Sequence, residues 1–161
     1  MANRILVSVQ DGISAPSWLD ESKIGEFAAQ VLKKLGVDKE EVSLLFCDDA
    51  AIQRLNRDYR SIDSPTDILS FENGSEYTDE EGGWLQAGDI VVSLETLPKN
   101  AVYFKVSENE ELKRLLIHGL LHLNGYDHGE EHIGDGDAPR GEMLVLQERL
   151  LREFEEVVLA E

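Results

Sequence analysis

The chain has 161 residues, 42% of them apolar and 30% charged, with 33 acidic side chains against 15 basic ones and a formal net charge of −18. This length and balance are those of a soluble globular protein with one domain and a real core. So negative a charge argues against a broad electrostatic grip on nucleic acid, though not against a local basic groove. No apolar run approaches the roughly 18 residues of a membrane span, and Met1 to Val7 lacks a secretory apolar core and cleavage site. The single Cys47 cannot form an internal disulfide. The expectation is a reduced, cytoplasmic setting in which Cys47 is a small core hydrophobe.

In chain order, Ile5 to Val9 reads as a first strand bounded by Asn3 and by Asp11-Gly12. The stretch from Ser17 to Glu21 opens a helix, with Ser17 a plausible cap. Ile24, Phe27, Ala28, Val31, Leu32 and Leu35 follow at helical spacing, and Gly36 ends it. Val42 to Cys47 is a second strand. Asp48 or Asp49 can cap the next helix, which carries Ile52, Leu55 and Tyr59 on one face. Asp63 to Thr66 is a turn, and Asp67 to Phe71 a short strand. Glu72 to Gln86, rich in glycine and acidic residues, reads as a mobile loop before a fourth strand, Gly88 to Ser93. Ser93 is placed to cap a short helix running to about Phe104. Ser107 and Glu110 form a capping box for a longer helix. A final helix is expected from about Arg140 to Val158. Early strands followed by late helices predict an α+β fold, with one domain over residues 1–161.

The most informative stretch is His118-Gly119-Leu120-Leu121-His122-Leu123-Asn124-Gly125-Tyr126-Asp127-His128. A helix sets residues four apart on one face, so His118 and His122 point the same way. Gly125 supplies the left-handed residue that ends many helices, and the chain can turn there to bring His128 alongside. Three convergent imidazoles make a tripod that zinc accepts, with the fourth position left to water as in catalytic sites. His132 sits among Glu130, Glu131, Asp135 and Asp137 and reads as solvated. The spacing is shared with the metzincin pattern H-E-x-x-H-x-x-G-x-x-H, but Gly119 occupies the position of that pattern's general base. The missing base favours a substrate other than peptide, with a peptidase kept as the alternative.

The second informative stretch is Asn56-Arg57-Asp58-Tyr59-Arg60 with Ser64-Pro65-Thr66-Asp67-Ile68-Leu69-Ser70-Phe71, a helix, a turn and a strand. Arg60 at a helix end either complements the helix dipole or aims its donor fork at phosphate. Asp67 can orient the turn, and Ser70 can simply face outward on its strand.

Taken together, HGLLHLNGYDH, LNRDYR, PTDILSF and GDIVVS resemble, in the same order, the sequence blocks of the YbeY-type endoribonucleases, the bacterial rRNA maturation factors. The resemblance runs from about residue 40 to about residue 150. It implies a zinc-dependent, single-strand-specific endoribonuclease in ribosomal RNA maturation, including 16S rRNA 3′ end processing, and in ribosome quality control. It also implies a mixed four-stranded sheet covered by helices, one zinc per chain, and precursor rRNA with the ribosome or a ribosomal protein as partners. By position, His118, His122 and His128 would hold the metal, and Arg60 would match the family's required arginine. Asp127 is the candidate to orient a ligating histidine. Tyr59, Phe71 and Tyr126 are candidates to stack unpaired bases, with Ser70 beside them. Glu72 departs from a frequent proline of that family, and residues 73–86 are variable in it. Two other readings stand beside this one: a metzincin-like zinc peptidase or other metallohydrolase, and a noncatalytic ribosome assembly factor with structural zinc.

Overall fold

The computed structural model describes residues 2–126 and 141–161. Four strands, β1 (Arg4–Val9), β2 (Glu40–Cys47), β3 (Ile68–Asp79) and β4 (Gly82–Ser93), form one mixed sheet in the order β1-β2-β4-β3. β1, β2 and β4 run parallel, and β3 returns antiparallel along β4. Among the described residues five helices accompany them: α1 (Glu21–Lys34), α2 (Asp49–Arg60), α3 (Thr96–Phe104), α4 (Glu108–Leu123) and α5 (Glu142–Glu153). This is the α+β arrangement expected from the sequence.

Alternation along the strands divides the core in two. Val42, Leu44, Phe46, Ile90 and Val92 turn to one face and pack with α1, α3, α4 and α5. Leu45, Cys47, Leu69, Phe71 and Val91 turn to the other, under Ile52 and Leu55 of α2. Cys47 is buried there as expected, and burial, with Asp48 next, pushes its thiol up to about 11. α4 is the innermost helix, with Leu112, Leu116, Ile117, Leu120 and Leu121 buried.

Helix starts follow local chemistry. The Asp48 carboxylate accepts the Ala51 N–H at 2.8 Å, and the Ser107 hydroxyl accepts the Glu110 N–H at 3.0 Å. The first helix departs from expectation. Asp20, not Ser17, caps it by accepting from the Lys23 N–H, and Ser17 precedes the helix. Ser93 acts from just outside α3: its hydroxyl accepts from the N–H groups of Glu95 and Thr96 and donates to Asp49.

Two further boundaries are corrected. The expected loop over Glu72–Gln86 is a β-hairpin, in which β3 and β4 pair out to Asp79 and Gly82. Its acidic residues face solvent, while Trp84 is buried beneath the Arg4 guanidinium, 3.8 Å above the ring. Arg4 also binds Asp79, fastening the hairpin tip to β1. The final helix is shorter than expected and stops at Glu153. The Lys113 ammonium donates to the carbonyls of Phe154, Glu155 and Val157, and Asn109 clamps Val157, Leu159 and Ala160, so the chain turns back onto α4 instead of extending.

Candidate active site

The site is built on α4. Its first turn carries Glu108, Glu110 and Glu111 beside the positive helix end, and its middle is buried against the sheet. Gly119 is what lets it approach so closely. A Cβ at that position would lie 2.9 Å from Ile90 Cδ1 and 3.2 Å from Ile68 Cδ1. The glycine that replaces the peptidase base is therefore a packing requirement. A glutamate there would have to enter the core.

His118 and His122, one turn apart, are both half-buried. Their Nε2 atoms are 3.1 Å apart, and the rings meet edge to face at 73°. Past His122 the helix ends as expected. Gly125 takes φ +88°, its N–H returns to the His122 carbonyl, and the Tyr126 N–H returns to Leu121. Tyr126 packs partly buried against the main core. Asp127, His128 and His132 lie outside the described residues, and among the described residues no group of three metal-ligating side chains occurs.

The structure adds a partner that sequence reasoning missed. Gln147 of α5, buried, places Oε1 2.7 Å from His118 Nδ1. Its amide nitrogen donates to Glu148 at 3.1 Å, and Glu148 is gripped by Arg114 of α4 through two bonds of 3.0 Å. Burial raises the Glu148 carboxyl, but the bonds from Arg114 and Gln147 outweigh it and hold the carboxyl below its ordinary value. A glutamine midway along an amphipathic helix carries no motif. Only the packing of α5 on α4 reveals it.

The other candidate residues divide between the two faces of the sheet. Arg60 is the last residue of α2, exposed, and makes no hydrogen bond or ion pair with another described residue. The left-handed Ser61 then reverses the chain, and the buried Asn56 amide holds the turn by donating to the Ser64 carbonyl. Asp67 orients that turn: its carboxylate accepts from its neighbour Ile68 and from Asn100. Tyr59 is 70% exposed and meets Phe71 edge to face at 5.2 Å. Both belong to the α2 side, whereas alternation from Ile68 puts Ser70 on the side that α4 covers. Arg60, Tyr59 and Phe71 thus sit on a different layer from the histidine pair.

Fold and site together define a class: an α+β layer protein whose polar centre is a pair of imidazoles carried on its innermost helix. A family model described as endoribonuclease YbeY matches residues 13–155. The endoribonuclease YbeY of Treponema denticola is 51% identical over 155 residues, covering 96% of this chain and 95% of the relative. That of Aquifex aeolicus is 40% identical over 132 residues, covering 80% and 82%. The solution structure of TM1509 from Thermotoga maritima superposes with a TM-score of 0.60 at 31% identity, covering 96% of this chain and 91% of that one. The chain belongs to the endoribonuclease YbeY family.

Proposed function

We propose that this chain is a zinc-dependent endoribonuclease that cuts single-stranded segments of precursor ribosomal RNA, including the 3′ end of 16S rRNA, in ribosome maturation and quality control. The observation that carries the metal centre is the convergence of the two imidazole nitrogens. Ligand atoms roughly 2.0–2.1 Å from a tetrahedral zinc lie about 3.3 Å from one another, and His118 and His122 hold their Nε2 atoms 3.1 Å apart. The two residues fit the ion. His118, His122 and His128 would hold it, one per chain. Zinc supplies, when bound, Lewis acidity at the phosphodiester and a water acidified toward a pKa of about 7.

The chain's own residues do the rest. Arg60, which pairs with no other described residue, offers its planar fork to the phosphate whose charge grows in the transition state. Asp127 orients a ligating imidazole. Tyr59 and Phe71 on the α2 side of the sheet and Tyr126 on the α4 side offer rings to unpaired bases, with Ser70 a polar contact on the α4 side. A net charge of −18 makes binding to bare RNA weak, so the ribosome or a ribosomal protein brings substrate to the site in the cytoplasm.

The test offers protein of verified metal content single-stranded RNA, duplex RNA and casein, with and without chelator. Chelator-sensitive cleavage of the single strand alone is expected. Cleavage of casein would make the chain a peptidase, and cleavage of neither would leave a noncatalytic assembly factor.

A further inference from the structure

The chain of side chains behind His118 has a fixed hydrogen-bond polarity. It begins at Arg114, whose guanidinium has only donors at any ordinary pH. Glu148, held below its ordinary pKa, only accepts, and it takes two bonds of 3.0 Å from Arg114. The group 3.1 Å from Glu148 on Gln147 must therefore be the amide NH₂. That choice turns the amide carbonyl toward His118, 2.7 Å from Nδ1. A carbonyl only accepts, so Nδ1 must carry the proton. In the neutral form of such a ring the lone pair is on Nε2, the atom that faces His122 Nε2 at 3.1 Å. Each link determines the next.

We propose that Arg114, Glu148 and Gln147 form a positioning relay that locks His118 in the Nδ1–H tautomer and aims its Nε2 lone pair into the site. Gln147 is the positioning residue. Glu148 and Arg114 act one and two steps further back, by denying the Gln147 amide its flipped orientation. The burial of Gln147 matters, because a flipped amide would set its carbonyl oxygen against the Glu148 carboxylate, two acceptors with no proton between them. Position 147 needs Glu148 only because it is an amide, with two nearly isosteric orientations. A carboxylate at 147 would accept from Nδ1 either way round.

The inference rests on the proposed metal reading for its consequence, not for its geometry, so two readouts separate them. The first is the tautomer of His118, read from the two-bond nitrogen–proton correlations of its ring in metal-free protein at one fixed neutral pH. The second is zinc affinity by competition with a chelator. Wild type should show Nδ1–H. Gln147→Leu, similar in size but without an acceptor, should release the tautomer and weaken zinc roughly 10–100-fold, the usual scale for losing such a support. Gln147→Glu should keep both properties. Glu148→Ala should loosen the tautomer in the wild-type background and have no effect on it in the Gln147→Glu background. A merely structural role for the pair would not produce that dependence.

Should Gln147→Leu fail to fold, the Glu148→Ala comparison in the two backgrounds decides alone. An Nε2–H tautomer in wild type, or Gln147→Leu or Glu148→Ala leaving the tautomer unchanged, overturns the relay. Absence of zinc binding by wild type, with the tautomer behaving as described, would overturn the metal reading and leave the relay standing.

Discussion

The amide of Asn124, at the end of the histidine helix, donates to the buried carboxylate of Glu40 at 3.0 Å and to the Leu120 carbonyl at 2.9 Å. This one side chain ties the C-terminal end of α4, just past His122, to the first residue of β2. Burial raises the Glu40 carboxyl and the Asn124 bond opposes that rise. Asn124→Ala should therefore leave a buried carboxylate without this donor and cost about 1–3 kcal/mol. Chemical denaturation checks the stability. Relaxation of the His122 ring signals checks the coupling to the site, and these should broaden.

Gly119 makes a second prediction. Gly119→Ala forces Ile90 and Ile68 to yield by several tenths of an ångström, an overpacking worth about 1–3 kcal/mol. Gly119→Glu adds a buried charge and should not give a stable fold. Melting curves of both variants test this. A stable Gly119→Glu protein would mean that α4 can lift off the sheet.

Glu111 makes the fold sensitive to pH. It is 3% exposed, and one of its carboxylate oxygens has no hydrogen-bond partner among the described residues. Burial raises its carboxyl from about 4.5 to about 7, with Asp67, Glu110 and Glu148 adding to the rise and Arg114 opposing it. A carboxyl raised in the folded state is stabilising while protonated, and that stability is lost as pH climbs from 4.5 through 7. Glu111→Gln should thus be more stable than wild type at about pH 8, by on the order of 2 kcal/mol, with the gap closing near pH 4. Equal stability curves across that range would remove Glu111 as the cause.

What the sequence made legible is what short-range chemistry determines. The caps at Asp48 and Ser107, the amphipathic helices and the turn at Gly125 each involve neighbours a few residues apart, and all are found. The hairpin was hidden because Glu72–Glu76 is solvent-exposed and lacks the apolar alternation that marks a half-buried strand. Its order comes from pairing with β4 and from Arg4 over Trp84, eighty positions away in sequence. That His118 and His122 face one another was legible from spacing alone, whereas Gln147, 29 residues from His118, was not. The separation of Arg60 from the histidine helix by the sheet was also invisible, since it depends on which face each crossover takes.

Arg60 accordingly tests how the two layers meet around RNA. If its guanidinium grips the scissile phosphate, Arg60→Ala should keep zinc content and melting temperature while slowing single-turnover cleavage by about 10²–10³. Arg60→Lys should recover only part, because the charge returns without the fork. A lowered melting temperature with full activity would give Arg60 the helix-end role alone.

The most direct measurement returns zinc stepwise to metal-free protein and follows single-turnover cleavage of an unstructured RNA at each occupancy. The account predicts a rate that rises in proportion to bound zinc and levels off at one ion per chain, with His118→Ala and His122→Ala neither retaining the ion nor cutting. Undiminished cleavage by the metal-free protein, or full cleavage by the His118→Ala variant, would contradict it.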